Sequence, residues 1–598
     1  MAVPFEDSRR LTGANLFFAA TGAVLDAIEP GMDAAMIDAW RARIERAAEH
    51  LRWPSPHTVA RRHAGGVSLA CSAPPDQLFL ATEVNEWALC AAVAQRHPQR
   101  RESLESALIA QAMQANADAG SPAATLPPSL AESDALSRFE LLARREGNPR
   151  LLALLQAAEA RGLSHTADED SLTLGSGDGA HSFALSGLPD TAAIAWPSIH
   201  NVPTALVTGS NGKTTTIRLL AAFARAHGWH AGFNCTDGVF LDAEVLASGD
   251  YSGPAGARRV LREPRTQAAL LETARGGILR RGIAVSQADV AVVTNVSSDH
   301  FGEYGIDDLR GLADTKLVVA AVVNPAGLLV VNAEDATLRA AIGDLAARFG
   351  RCPPLGWFSS DGDSTPLPSP LGADASVCRV LDGNLVATHH GARHDLGSIA
   401  RMPLTVGGVA RYNIANIAGA ALAGLALGIP APVIAAVLRT FGTHPDDNAG
   451  RMMRFEHQGV TVLIDYAHNP EGLRGLLDVA QHLRGKGRLG ILLGHAGNRQ
   501  DEDIRALARV AAQFRPELVV VKENESHLRG RAPGEIPGIL RDTLLRLGMH
   551  ASALQDRQSE IEAARCALDW ARPGDVLALP VHALAARRAV VAMVRGAH

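Results

Sequence analysis

The stretch Thr204–His227, TALVTGSNGKTTTIRLLAAFARAH, decides how the chain reads. Thr204–Val207 is a short apolar, β-branched run that reads as a strand. Thr208–Thr216 is a turn rich in Gly, Ser and Asn that holds one lysine, and Ile217–His227 reads as a helix closed by Gly228. A strand, a glycine turn and a helix N-terminus together form a phosphate cradle. Backbone N–H groups and the helix dipole face the anion, Lys213 adds a full charge, and a Thr hydroxyl can hold Mg²⁺. Gly209 and Gly212 permit backbone angles and a close approach that a Cβ would block. The spacing departs from the common G-x-x-x-x-G-K-[ST], since Val207 stands where its first glycine would be. The alternative is a structural turn without a ligand.

At 598 residues the chain is too long for one core, and three or four domains are expected. Its apolar content of 47% and charged content of 20% are those of an ordinary soluble globular protein. A net charge of −6 gives no reason to expect nucleic acid or a membrane as partner, so phosphates must be met by local cations. The six cysteines lack C-x-x-C spacing and read as small buried residues rather than disulfides or zinc ligands. The start, MAVPFEDSRRL, is charged where a signal peptide needs an apolar core, and the expected location is cytoplasmic.

Residues 1–190 read as an α+β domain that binds substrate or a partner. Leu78–Val93 suggests a strand followed by a helix, Asp118–Ser129 a linker, and Ser137–Ala160 a helix interrupted at Gly147–Pro149. His57 and His63, near Arg61 and Arg62, read as exposed surface residues. From Ile194 apolar strands alternate with helices, the pattern of a parallel sheet covered on both faces. Strands are expected at Ala268–Leu271, Val290–Val296 and Leu328–Val331. Glu272 follows the first of these, and Asp299-His300 follows the second after a short turn, where ligands sit in open α/β sheets. A carboxylate and an imidazole there could share a divalent cation, although oxygen suits Mg²⁺ better than nitrogen. Lys316 lies in the helix-like run Asp307–Ala321 and reads equally as a surface lysine.

Asn332–Leu404 is broken by prolines and suggests a small β excursion. Asn413 and Asn416, three apart in a helix through Leu427, could read an adenine edge; an N-cap role for Asn413 is the alternative. Turn residues over Thr443–Gly450 mark a domain boundary. A second α/β unit follows, with strands at Val460–Ile464, Leu489–Leu493, Leu518–Val521 and Val576–Leu579. Three polar loops, Asp465–Pro470, Gly494–Asp503 and Lys522–Arg531, follow successive strands, as a binding face would require.

Taken together these residues resemble the Mur ligase family. T-G-x-N-G-K-T-T at 208–215, Glu272, T-N-V-x-x-D-H at 294–300, Lys316, N-x-x-N at 413–416, G-R at 450–451 and D-Y-A-H-N-P at 465–470 occur in the family's order. Within the family the Mur-type half of cyanophycin synthetases is the nearest likeness. It rests on T-D-G (236–238), L-E-T-A-R-G-G-I-L-R-R-G (271–282), N-R-Q-D-E-D-I (498–504) and L-R-G-R-x-P-G-E (528–535). R-R-L-T-G-A-N-L at 9–16 is similar to the amino-terminal domain of the same enzymes. Those enzymes carry an ATP-grasp domain between the two parts, for which no space is found here. A single amide-forming step is therefore expected rather than synthesis of the whole polymer.

The resemblance implies an α/β fold in three parts. These are a substrate- or partner-binding domain over 1–190, a P-loop ATP-binding domain over 191–445 and a Rossmann-like C-terminal domain over 446–598. It implies ATP and Mg²⁺, with Gly209, Ser210, Asn211, Gly212, Lys213, Thr214 and Thr215 on the phosphates and Asn413, Asn416, Arg451 and Asp465 on the rest of the nucleotide. Lys213, Glu272, His300 and Lys316 would be catalytic. Thr214, Glu272, His300 and Lys316, the last carbamylated in relatives, would hold metal. Arg275, His468, Asn469, Arg499 and Arg529 would meet the substrates. The implied reaction is ATP-dependent formation of an amide or isopeptide through an acyl phosphate, with arginine added to an Asp side chain of a cyanophycin-related peptide as the first expectation. The implied partners are small amino-acid or peptide substrates and that polymer, and a homo-oligomer is compatible with it. The alternatives are a folylpolyglutamate-type or other amino-acid ligase, and a non-catalytic partner of a full cyanophycin synthetase.

Overall fold

The computed structural model describes residues 3–119, 126–298, 301–361, 367, 375–497, 499–523 and 528–596. The chain packs as two compact units. The first comprises residues 1–209, 229–329 and 335–354; the second comprises 210–228, 330–334 and 355–598.

The first unit begins with a four-stranded antiparallel sheet in the order Phe5–Leu11, Gly22–Ala27, Gly66–Ser72, Thr58–His63. Helices Ala34–His50 and Leu78–Arg96 bury their apolar residues against it, with Trp40, Ile44, Leu69, Leu89 and Trp87 at the centre. The expected strand at the start of Leu78–Val93 is not formed. The run is one 19-residue helix, with 13 of its residues buried, because apolar residues on nearly all of its faces can pack between sheet and neighbouring helices. Ser137–Ala160 is split as expected into Glu132–Glu146 and Pro149–Glu159, since Pro149 cannot continue the first helix but suits the first turn of the second. Part of the expected linker Asp118–Ser129 lies outside the described residues. His57 is exposed, but His63 is half-buried, and a Cβ on Gly305 would lie 2.5 Å from its ring.

The same unit holds the parallel strands Ala231–Cys235, Ala268–Glu272, Thr204–Thr208 and Ala288–Val293, side by side in that order. Strands Gly238–Leu241 and Glu244–Ser248 extend one edge in antiparallel fashion. All five residues of Thr204–Thr208 and of Ala268–Glu272 are buried, which is why neither shows polar alternation. The turn at Arg9–Leu16 joins this part to the first sheet. Thr12 N donates to Arg281 O at 2.7 Å and Ile283 N to Ala14 O at 2.7 Å, while a Cβ on Gly13 would lie 2.2 Å from Ile283 O. Asn15, fully buried, holds the turn by donating to Gly13 O and Ala20 O and accepting from the N–H groups of Phe17 and Phe18.

In the second unit helix Lys213–His227 packs on helices Arg411–Ala426 and Ala431–Leu438. The expected β excursion is the set Leu355–Ser359, Ser376–Leu381, Asn384–His389 and Ala392–Ser398. A six-stranded sheet follows in the order Met453–His457, Val460–Asp465, Val576–Pro580, Leu489–Leu493, Leu518–Lys522, Leu554–Arg557, parallel except for its first strand. Its strands bury both faces with period two. Leu463, Ile491, Leu493, Val519 and Val521 pack on helices Pro470–Leu483, Asp501–Gln513 and Glu535–Arg546. Val462, Ile464, Leu492 and Val520 pack on Glu560–Trp570 and Leu584–Arg595.

The described cysteines are all free thiols, and Cys71, Cys90, Cys235 and Cys378 are buried. Among the described residues no helix is long and apolar enough to cross a membrane.

Candidate active site

Strand Thr204–Thr208 ends at the glycine turn and helix Lys213–His227 begins directly after it, about one turn earlier than the apolar periodicity suggested. Thr214, Thr215 and Thr216 are buried rather than lying in the turn. Gly209 has φ +150° and Gly212 has φ +88°. A Cβ on Gly209 would lie 1.7 Å from Thr294 Oγ1, and one on Gly212 would lie 2.1 Å from Asn416 Oδ1. Both positions therefore exclude any side chain, and the backbone N–H groups at the start of the helix stay clear of one. Lys213 Nζ donates to Ser210 O at 3.1 Å, which folds the ammonium back over the turn. Gly228, with φ +100°, closes the other end of the helix as expected.

Within the second unit the turn and its helix are tied to the loops around the six-stranded sheet. Asn469 Nδ2 donates to Asn211 Oδ1 at 2.9 Å, and Asn211 Nδ2 donates to Glu471 Oε2 at 3.2 Å. Asn448 Nδ2 donates to Thr215 Oγ1 at 3.2 Å, Arg451 Nη2 reaches Thr214 Oγ1 at 3.4 Å, and Arg218 donates to Ala449 O. Asn469 also caps helix Pro470–Leu483 by accepting from Gly472 N at 2.8 Å. Arg451 lies over the Tyr466 ring at 4.3 Å, and Tyr466 meets His468 edge to face.

Asp465 ends its strand with both carboxylate oxygens engaged, one accepting from Met452 N at 2.6 Å and the other from Ala467 N at 2.7 Å. Burial pushes its carboxyl up, while Arg451 and these two N–H groups pull it back. Asn413 and Asn416 are buried in helix Arg411–Ala426. Asn413 donates to Leu404 O at 3.1 Å, and Asn416 donates to Asn413 Oδ1 at 3.3 Å. The residue at the N-cap is Ala410, so Asn413 has no capping role.

In the first unit Glu272 is the last residue of its strand and 1% exposed, with Thr236 Oγ1 donating to it at 3.3 Å. Thr236 belongs to the T-D-G stretch. Lys316 is the last residue of helix Leu309–Lys316 and 2% exposed, so the surface reading does not hold. The helix-like run Asp307–Ala321 continues past it as a 3₁₀ segment, Leu317–Val322. Arg275 opens helix Arg275–Arg281, is buried and pairs with Glu303. Asp299 and His300 lie outside the described residues. Among the described residues no group of three His, Cys, Asp or Glu side chains converges as a metal site.

Arg499 is buried and Arg529 exposed on a backbone with φ +44°. Beside the backbone of Arg499 stands Arg531, which sequence reasoning passed over. It donates to Arg499 O at 2.6 Å and Gly497 O at 3.1 Å and pairs with Asp501 and Glu535, so it braces the two polar loops against each other.

A second missed group lies under the Asp465–Pro470 loop. Lys522, fully buried, pairs with Glu560 and donates to Pro580 O at 2.6 Å. Glu560 accepts from His582 N at 2.9 Å and Ala583 N at 2.8 Å, and His582 Nε2 lies 3.0 Å from Ala467 O. Burial would raise the Glu560 carboxyl, but Lys522 and His582 hold it down at about 2. Burial, with Lys522 adding, pushes His582 down to about 3. The visible signal was a lysine as the last residue of an apolar strand.

The glycine turn suits a polyphosphate, because its two glycines admit no side chain and a helix N-terminus that begins with Lys213 follows directly. Thr214 in the second unit offers a buried hydroxyl and Glu272 in the first a buried carboxylate, each a hard oxygen donor of the kind Mg²⁺ takes. This arrangement, a parallel sheet with a G-x-x-G-K-T turn and a second α/β sheet carrying D-Y-A-H-N-P at a strand end, defines a class.

The Mur ligase middle domain matches residues 207–424, and the Mur ligase glutamate ligase domain matches residues 450–579. Together the two matches span more than half of the chain, which belongs to the Mur ligase family, ATP-dependent ligases that join an acid to an amino acid. Among its relatives, cyanophycin synthetase of Synechocystis sp. is 36% identical over 347 residues, covering 57% of this chain and 38% of that protein. Cyanophycin synthetase of Geminocystis herdmanii is 32% identical over 406 residues, 67% of this chain and 45% of that protein. The chain thus spans less than half the length of these two relatives. The UDP-N-acetylmuramoyl-L-alanyl-D-glutamate–2,6-diaminopimelate ligase of Geobacter metallireducens is 27% identical over 406 residues, 63% of this chain and 73% of that protein. Among solved structures, E. coli FolC in complex with DHPP and ADP is similar with a TM-score of 0.47 and 19% identity, covering 66% of this chain and 89% of that one.

Proposed function

We propose that the chain joins an acid to an amine through an acyl phosphate. The acid is the side-chain carboxylate of an Asp residue in a cyanophycin-related peptide, and the amine belongs to an amino acid such as arginine. The observation that carries this reading is the glycine turn, two of whose positions admit no side chain, followed directly by a helix N-terminus that begins with Lys213. The likeness to cyanophycin synthetases supports the choice of substrates.

ATP supplies the phosphoryl group that turns the carboxylate into an acyl phosphate, and Mg²⁺ offsets the charge of the phosphates. The N–H groups of Gly209–Thr215 and the Lys213 ammonium bind the phosphates and stabilise the charge that grows during transfer. Thr214 and Glu272 would hold one Mg²⁺, and His300 would hold a second, helped by Lys316 once carbamylated to an anionic oxygen ligand. Asn413 and Asn416 meet the adenine, while Arg451 and Asp465 reach phosphate and ribose or base. Arg275, His468, Asn469, Arg499 and Arg529 orient the acid and the amine. The amine then attacks the acyl carbon, loses its proton and expels phosphate, so excluding water protects the intermediate. The working domains in this reading are 1–190, 191–445 and 446–598.

Mass spectrometry of products from Asp-containing peptides, arginine and MgATP tests the proposal. The expected product is heavier by one arginine less one water, with one ADP formed per bond. Transfer to glutamate acceptors alone would replace the substrate assignment with a polyglutamate-type one. ADP release without any ligated product would overturn it.

A further inference from the structure

Within the first unit, outside every residue assigned above, a cavity of about 160 Å³ lies between helices Leu78–Arg96, Arg101–Ala119 and Glu132–Glu146. Phe79, Trp87 and Phe139 form its aromatic walls, with Trp87 and Phe139 edge to face at 5.5 Å. Its polar groups are uneven. Arg138 is already paired with Glu83 at 2.6 Å, and no described ion pair includes Glu86. Glu86 accepts a long hydrogen bond from Gln111 Nε2 at 3.3 Å, and the Ser8 hydroxyl also bears on its carboxyl, but no described cation does. The Oε1 of Gln111 and the indole Nε1–H of Trp87, itself 3% exposed, are buried without a partner.

A buried donor or acceptor without a partner costs about 1–3 kcal/mol, so two such groups beside a carboxylate around one cavity need an explanation. Two acceptors, Glu86 and Gln111 Oε1, stand side by side, linked by the hydrogen bond between their residues. Burial, with Glu83 nearby, pushes the Glu86 carboxyl up to about 7, as befits an acid whose counter-charge is missing. Aromatic walls favour a cation with an apolar stem. The indole N–H asks in turn for an acceptor, such as a carbonyl, farther along the same ligand.

We propose that this cavity binds an organic monocation on an alkyl stem, an ammonium or guanidinium side chain, with its charged head on Glu86 and Gln111 and its stem along the aromatic wall formed by Phe79, Trp87 and Phe139. The site goes beyond the ligase reaction and does not depend on it. A free basic amino acid and a basic residue within a peptide share this chemistry.

Isothermal titration of the full chain with n-butylguanidine, n-butylamine, free arginine, Nα-acetyl-arginine methylamide and the neutral Nα-acetyl-citrulline methylamide tests it. Saturable one-to-one binding of the cationic probes but not of the citrulline compound is expected, weakened at least tenfold by Glu86→Gln and unchanged by Lys213→Ala. Trp87→Phe, which removes the indole N–H together with part of the aromatic wall, should weaken the capped arginine more than butylguanidine. Tighter binding of the capped compound than of free arginine points to a peptide, and the reverse to a free amino acid. Should Glu86→Gln fail to fold, Gln111→Met provides the same comparison. Absence of saturable binding by every cationic probe, or binding indifferent to both substitutions, overturns the proposal.

Discussion

The side-chain amide of Asn469 donates to the side-chain oxygen of Asn211 at 2.9 Å. Asn211 belongs to the glycine turn, and Asn469 stands at the end of the loop after strand Val460–Asp465, 258 residues away. The same Asn469 caps a helix, so its orientation is fixed twice. This bond makes the shape of the turn depend on the last sheet of the chain. Asn469→Ala should therefore raise the KM for ATP and lower kcat together, by about tenfold, as losing one buried hydrogen bond of 0.5–1.5 kcal/mol would. Steady-state kinetics check it; an unchanged KM for ATP with normal kcat would remove Asn469 from the site.

Lys213 is the one full positive charge in the turn itself. Lys213→Ala should lower the rate of ligation by about 10²–10³ or more, the usual effect of deleting a group that stabilises transition-state charge. Circular dichroism and the melting temperature should stay near wild type, because the described bond of Lys213 Nζ is a local one, to the carbonyl of Ser210 in the same turn. Near-normal product formation by a folded variant contradicts the assignment.

Glu272→Gln keeps the size of the side chain and removes its charge. Since the carboxylate is buried at a strand end, the substitution should raise the Mg²⁺ concentration giving half-maximal rate by about tenfold or more. A magnesium titration of ADP release measures this, and an unaltered curve rules Glu272 out as a ligand.

Lys522 and Glu560 are the buried ion pair of the second unit. Lys522→Met leaves Glu560 without its partner and should cost about 3–5 kcal/mol of stability. The double variant Lys522→Met with Glu560→Gln should recover part of that loss. Chemical denaturation followed by fluorescence compares the two; equal stability of the single variant and wild type refutes the role.

His582 gives a pH dependence with a defined sign. Its folded value, about 3, lies below the ordinary 6.5, so the unfolded chain takes up a proton that the folded chain refuses. The associated stability is complete above pH 6.5 and is lost progressively as pH falls toward 3. Glu560, held at about 2 against an ordinary 4.5, acts in the same direction over a lower window. Denaturation midpoints between pH 7 and 4 should fall less steeply in His582→Gln than in wild type. Parallel slopes would show that another group carries the acid sensitivity.

Most of the architecture could be read from the chain alone. Apolar runs such as Leu489–Leu493 and Leu518–Val521, with a polar loop after each, already reveal a buried parallel sheet, because a strand covered on both faces has no polar alternation to hide it. The glycine turn was equally legible, since Gly209 and Gly212 are required by local backbone angles. Leu78–Val93 misled because a short apolar run has no period that separates a strand from a buried helix, and here surroundings on several sides chose the helix.

Three things depended on the tertiary structure. Whether Lys316 faces water or protein is not a property of its neighbours in sequence, and only the packed helix buries it. The bonds joining Asn211 to Asn469 and Lys522 to Glu560 link residues that no local pattern pairs. The open positions around Glu86 exist only once three helices have been set against each other. Local sequence decides what each backbone segment can become, through dihedral limits and apolar period. Burial, hydrogen-bond partners and the charge a side chain carries are decided by what the folded chain brings beside it.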